Sequence, residues 1–209
     1  MKKILFITAY PPSKLGGGEN YTRQLLLKLS SFCFIDLIYF RTKKDIIYQE
    51  PNNNIKVLYC FTLNNFKKII NSLLYPILFP LFTVRFNFYY LYLIRQAIKL
   101  KDYDFVYLDF SQTLLYAKFI KHNNIILMSH DVNTQRYGRI ANKMIAYFFF
   151  FLENYVLKNR KTTIFMSNKK DELLIKKMFD IKSYYTKSFI LQDIISSKLI
   201  YIQDYFVLF

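Results

Sequence analysis

The sequence predicts an α/β protein, an open parallel sheet with helices on both faces. Three observations carry that reading. Apolar runs of strand length alternate with stretches whose apolar residues recur at helical spacing, the pattern that builds βαβ units. The strand-like runs are apolar without interruption, as expected where both faces of a sheet are covered. Three of the four glycines are consecutive, Gly16-Gly17-Gly18, directly after the first run.

Taken in order, Lys3–Ala9 is the first strand and is closed by Pro11 and Pro12. After the glycines, Glu19–Ser31 places Tyr21, Leu25, Leu26 and Leu29 on one helical face. Phe34–Phe40 is the second strand. The polar stretch Arg41–Asn54, with Pro51 and three successive asparagines, is a loop, and Ile55–Phe61 is the third strand. Asn64–Lys101 reads as mostly helical, broken at Pro76 and Pro80. Asp104–Leu108 is the fourth strand, Ser111–His122 a helix with Ser111 as its N-cap, and Asn124–Ser129 the fifth strand. Thr134–Asn159 is a long helix in which Ala146–Leu152 is apolar on all sides, the signature of a buried or membrane-apposed segment. Thr162–Ser167 is the sixth strand and Asn168–Phe179 a charged amphipathic helix. Beyond Asp180 no period is legible. The folded unit is expected to span residues 1–179, followed by an aberrant tail, 180–209, and no second domain.

Apolar residues make up 53% of the chain and aromatic residues 20%, which excludes disorder. Cys33 and Cys60 lie far apart and outside any Cys-x-x-Cys pattern, so the sequence predicts reduced thiols in a cytosolic protein rather than a disulfide scaffold or a zinc site. The net charge of +16 would attract nucleic acid, anionic lipid or phosphorylated small molecules. Nucleic acid is disfavoured, because no basic tract interleaves with aromatics as a stacking groove requires. The N-terminal apolar run is too short for a signal peptide. The apolar stretch within residues 69–100 carries two prolines and meets Arg85 before reaching the roughly 18–20 residues of a spanning helix. It reads as an in-plane, partly buried segment able to lie on a membrane surface, with a spanning helix the less favoured alternative.

Ligands of open parallel sheets bind beyond the carboxyl ends of the strands, which makes those ends the places to inspect. At the first, Gly16-Gly17-Gly18-Glu19 lets backbone approach a ligand and offers the N–H groups of a helix N-terminus to an anion. A dinucleotide fingerprint would need glycine where Tyr21 stands, strand two ends in Phe40-Arg41 without a ribose-binding acid, and the P-loop Lys-Ser/Thr is missing. Phosphate approach without NAD or ATP chemistry is one reading, and a plain turn before a helix is the other. At the end of strand five, Ser129-His130-Asp131 puts an imidazole where it would face the cleft as a hydrogen-bond donor or general base. A structural histidine is the alternative. His122, at a helix end, has no metal-ligand spacing to it, and Ser129 is not in a hydrolase elbow. The third place is Gln135-Arg136-Tyr137-Gly138-Arg139 with Lys143 one turn on, of which Lys143 fits a solvated basic face.

These pieces in this order, Gly16-Gly17-Gly18-Glu19, then Ser129-His130-Asp131-Val132 with Arg136, then Glu153 and Phe165-Met166-Ser167-Asn168-Lys169-Lys170-Asp171, resemble the N-terminal half of the retaining GT-B glycosyltransferases of family 4. The resemblance covers Met1–Met178. It implies a Rossmann-like domain that binds the acceptor, facing a second domain that holds a nucleotide sugar. Gly16, Gly17 and Gly18, with Glu19, would lie beside the donor diphosphate, their amides stabilising charge on the leaving group. His130 would sit against the transferred sugar in a hydrogen-bonding, catalytic role. Arg136 belongs with the donor- or acceptor-binding positions, and Glu153 matches a recurring position without an assigned role. Neither cofactor nor metal is implied.

The family's second domain has no counterpart in this sequence, and Ser183–Phe209 matches nothing in the family pattern. The chain is therefore expected to be incomplete and unable to transfer sugar unaided, either truncated or completed by a separate C-terminal half. Members of the family commonly act on membrane-bound acceptors. The expected partners are a nucleotide sugar, a glycan or lipid-linked acceptor, and the anionic cytoplasmic face of a membrane, where each surface Lys or Arg contributes about 1 kcal/mol. Lys67, Lys68, Arg139 and Lys143 are the candidates for that contact. The alternative is a non-catalytic peripheral membrane-binding protein that retains the fold. An epimerase would need a Tyr-x-x-x-Lys pair, but Tyr137 is followed four residues on by Ala141.

Overall fold

Strand β1 (Lys2–Thr8) forms the centre of the sheet, hydrogen-bonded in parallel to β2 (Cys33–Thr42) on one side and β4 (Phe105–Asp109) on the other. The structure is a computed structural model and describes residues 1–49, 52–74, 84–140, 143–158 and 162–185. With β3 (Ile55–Leu63), β5 (Ile125–Ser129), β6 (Thr162–Met166) and β7 (Tyr184–Tyr185), the strand order is β3-β2-β1-β4-β5-β6-β7, parallel throughout. The order reverses between β1 and β4, and the carboxyl ends of those two strands therefore open a crevice.

The uninterrupted apolar runs are explained by the two cores. Every residue of β4 and β5 is buried. One face of the sheet, with Leu5, Ile38, Phe40, Leu108 and Leu127, packs against helices α3 (Phe88–Leu100), α5 (Lys143–Leu157) and α6 (Lys169–Phe179). The other, with Ile4, Phe6, Leu37, Tyr107 and Phe165, packs against Leu25, Leu26 and Leu29 of α1 (Gly17–Leu29). Helix α2 (Asn65–Leu74) follows β3, and α4 (Asn133–Ile140) follows β5. Cys33 is buried in β2, where burial pushes its thiol up to about 11, and Cys60 is exposed; both are free. Among the described residues no helix is long and apolar enough to cross a membrane.

Three expectations change. The segment predicted as a helix over Ser111–His122 is a 3-10 helix over Ser111–Lys118, and Phe110, at φ 67°, stands at its cap position in place of Ser111. The Thr113 hydroxyl bonds back to the Asp109 and Phe110 carbonyl oxygens at 2.9 and 3.0 Å, which favours the short-range turns of that helix. His122 lies outside it, its ring nitrogens 3.0 and 2.9 Å from the carbonyl oxygens of Asn124 and Tyr103, a structural tie. The predicted long helix is two helices, α4 and α5. Its apolar stretch has a buried side, Phe149 and Leu152, and an exposed side that is apolar too, Tyr147 and Phe151. Finally, β7 adds a strand past Asp180, where two residues are too few to set a sequence period. The breaks at Pro76 and Pro80, the loop proline Pro51, Asn159, and residues 186–209 of the tail lie outside the described residues.

Tyr107 is completely buried, stacked on Phe6 with centroids 4.5 Å apart, and its hydroxyl has no partner among the described residues. Burial drives its pKa far up, with Tyr21 and Asp109 adding to the rise. Tyr107→Phe is expected to raise stability by about 1 kcal/mol in a urea melt, because it removes an unmet polar group and keeps the stacked ring.

Candidate functional site

The switch between β1 and β4 is stitched by one carboxylate. Asp109 closes β4, is wholly buried, and accepts from the Thr22 hydroxyl of α1 at 2.5 Å and the Thr8 hydroxyl of β1 at 3.3 Å. Its other oxygen lies 3.0 Å from His130 Nε2. A carboxylate only accepts, so Nε2 carries the proton and Nδ1 is left as the acceptor of the neutral ring. The backbone of His130 is fixed as well, by the Ser167 hydroxyl donating to its carbonyl oxygen at 2.9 Å. The imidazole stacks on Phe110 at 4.3 Å and meets the Tyr21 ring edge-on at 5.3 Å, yet keeps 15% of its side-chain surface exposed. Tyr21 is pushed up by burial first and by Asp109 second.

The glycine turn reaches this cluster through Phe110. No glycine here has positive φ, so space rather than backbone freedom explains them. A Cβ on Gly18 would stand 2.8 and 3.0 Å from two Phe110 ring atoms, whereas one on Gly17 would meet nothing within 4 Å. Gly18 thus admits the ring on which His130 rests, and Gly17 leaves the helix N-terminus open. Gly16 is the N-cap and gives no side-chain cap to the first-turn amides. Glu19, in that first turn, accepts the Ser13 hydroxyl at 2.5 Å and is thereby folded back on the loop. Gly18→Ala is expected to cost about 2 kcal/mol and to shift the His130 ring resonances, since Phe110 is boxed in by His130 and Tyr10. Gly17→Ala is expected to stay within about 0.5 kcal/mol of the wild type. Thermal melts and NMR of the two variants check the contrast.

The sequence-predicted residues Gly16, Gly17, Gly18, Glu19 and His130 therefore lie together at the carboxyl rim. Arg136 falls within α4, and its side chain lies outside what the structure describes. Glu153 is on α5 and buried, where it accepts from the backbone N–H groups of Asn133 and Thr134 at 2.9 and 2.8 Å and from both their side chains. It anchors the start of α4. Sequence reasoning missed Asp109, Thr22, Phe110, Tyr10 and Arg85. The signal for Asp109 was a lone acid closing an apolar run; the other four carry none. A cavity of about 380 Å³ opens beside the turn, between the Pro12–Leu15 loop and Ile46–Gln49. Among the described residues no cluster of His, Cys, Asp or Glu is suited to a metal ion.

The sheet, its switch point and its helices have a Rossmann-like α/β arrangement. Among solved structures, the chain is similar to sucrose-phosphate synthase from Thermosynechococcus elongatus, with TM-score 0.51, 10% identity, and 88% of this chain and 87% of that one covered. It also matches a structure described as trehalose-6-phosphate from E. coli bound with UDP-2-fluoro glucose (TM-score 0.45, 13% identity, 81% and 41% covered) and an apo structure of OtsA (TM-score 0.43, 14% identity, 82% and 42% covered). The chain thus spans under half the length of those last two. The likeness is one of fold. No protein-family model matches the sequence, and no curated protein does.

Proposed function

We propose that this chain is the acceptor-side, N-terminal half of a retaining glycosyltransferase of the family 4 kind, transferring a sugar from a nucleotide-sugar donor to a membrane-linked acceptor in glycan synthesis. The observation that carries the reading is the convergence of the Gly16–Gly18 turn and His130 on one phenylalanine ring, Phe110. In this reading the first-turn amides of α1 stabilise negative charge on the departing diphosphate, and His130, oriented by Asp109, hydrogen-bonds the transferred sugar. Arg136 contributes to binding. A facing nucleotide-binding domain completes the cleft. Inorganic pyrophosphate titrated into the chain should bind and perturb the Gly17, Gly18 and His130 NMR signals, and Gly17→Val should abolish the response by blocking the approach. With a facing domain supplied, His130→Ala should lower turnover of a labelled nucleotide sugar by about 100-fold. Pyrophosphate binding that ignores Gly17→Val, together with full turnover in His130→Ala, would overturn the reading.

A second reading, membrane binding without catalysis, is favoured by α2. Phe66, Ile69 and Leu73 are exposed on it, with Lys67 exposed and Lys68 half-buried between Phe66 and Ile69. That is the pattern of a helix lying in a membrane surface. Vesicle sedimentation with Lys67→Glu and Lys68→Glu tests it: loss of binding to anionic vesicles supports membrane contact at the cytoplasmic face, and unchanged binding rules out α2 as its seat.

A further inference from the structure

Arg85 stands apart from the other basic residues. Its Nε donates to the Ala9 carbonyl oxygen at 2.7 Å, and its guanidinium lies over the Tyr10 ring, 4.3 Å from the centroid. Its own carbonyl oxygen accepts the Tyr116 hydroxyl at 2.6 Å, which fixes the backbone too. Among the described residues no carboxylate lies within ion-pair distance of it. Burial lowers the guanidinium pKa, and Tyr10 and Asp45 act in the opposite direction. A cation drawn out of water without a paired carboxylate is costly, and such groups concentrate where a ligand supplies the counter-charge.

A second observation comes from the Tyr10 hydroxyl. Gln112 Nε2 lies 3.3 Å from the Tyr10 hydroxyl, and Gln112 Oε1 is buried with no partner among the described residues. Turning the amide over only exchanges which of its atoms is unmet. A hydroxyl, which both donates and accepts, satisfies it in either orientation. Tyr10 meets Phe110 edge-on at 5.0 Å, and Phe110 carries His130, so this cluster sits two rings from the imidazole on the same rim.

We propose that Arg85, Tyr10 and Gln112 form an oxyanion subsite for the acceptor, taking a phosphate ester whose carrier has a hydroxyl next to the phosphate. The guanidinium grips the phosphate oxygens, the Gln112 amide takes the hydroxyl, and Tyr10, in contact with both, holds them in place. This rests on the acceptor-side reading above and adds to it the chemical class of acceptor. A free polyol phosphate and a lipid headgroup share that chemistry.

The test uses the full chain in two arms. Calorimetric titration with glycerol 3-phosphate, against glycerate, probes the free ester. Flotation with phosphatidylglycerol vesicles, against phosphatidylcholine, probes the headgroup. Binding in either arm is expected to weaken at least ~10-fold in Arg85→Gln and by less in Arg85→Lys, which keeps the charge and loses the fork. Lys44→Gln, which removes one charge from the nearby loop, should leave it within about twofold. Circular dichroism confirms folding of each variant, and Arg85→Lys carries the comparison if Arg85→Gln melts. The proposal is overturned if the Arg85 variants bind no worse than Lys44→Gln, or if glycerate binds as tightly as glycerol 3-phosphate. Pyrophosphate binding at the glycine turn reads the other site: its absence with the Arg85 effect intact sinks the glycosyltransferase reading alone, and the converse sinks the subsite alone.

Discussion

Asp109→Ala is expected to cost about 3 kcal/mol of folding stability and to release His130 from its orientation. The carboxylate is wholly buried and touches three elements. The two threonines have second acceptors, Thr8 at the Tyr10 carbonyl oxygen and Thr22 at the Gly18 carbonyl oxygen, 3.2 and 3.0 Å away. The loss therefore falls on the imidazole, whose Nε2–H is left without an acceptor, and on the cavity that the side chain vacates. Asp109→Asn separates the two contributions. Its shape fits, so stability should fall by only about 1 kcal/mol. With its amide nitrogen toward His130, the ring must present a lone pair at Nε2 and carry its proton on Nδ1. Nitrogen-15 NMR of His130 should show the reversed tautomer. A wild-type melt for Asp109→Ala with unchanged His130 signals would mean that the pair does not orient the ring.

Glu153→Ala is expected to cost about 3 kcal/mol as well, by a different route. Four donors from Asn133 and Thr134 converge on this carboxylate, two of them first-turn amides of α4. Alanine leaves them buried and unmet. Burial raises the Glu153 pKa, and the four hydrogen bonds only partly offset it. A raised carboxyl pKa makes this group's contribution to stability full below the unfolded pKa, and that contribution declines as pH rises through the folded one. Glu153→Gln cannot ionise. The stability difference between wild type and Glu153→Gln, from melts across a pH series, should therefore shift against the wild type as pH rises above the ordinary glutamate range. A difference that grows in favour of the wild type would show that the hydrogen bonds outweigh burial.

The strands were legible because a covered parallel strand leaves an unbroken apolar run, as in Ile4–Ile7 and Val106–Leu108. The 3-10 helix was not, because Ser111–Lys118 has ordinary helix-forming residues and the deciding event is the left-handed backbone of Phe110 one position earlier. His130 and the glycines were legible from their place at strand ends. Asp109 was overlooked because the fourth strand was expected to stop at Leu108, one residue short of the carboxylate. Arg85 read as the end of an apolar stretch, and only the fold brings it over Tyr10. Long-range pairs of this kind leave no periodic trace in a chain.

The Thr8–Asp109 contact joins residues 101 positions apart, and Thr22–Asp109 joins residues 87 apart. During synthesis the first strand and helix emerge long before the carboxylate that locks them. Closure of so wide a loop is slow, and until then the flank of β1 that will pair with β4 waits without its neighbour. The rim thus cannot mature before β4 has emerged. Nascent chains shorter than about 109 residues plus the ribosomal exit tunnel's span should be strong clients for chaperones that shield bare strand edges.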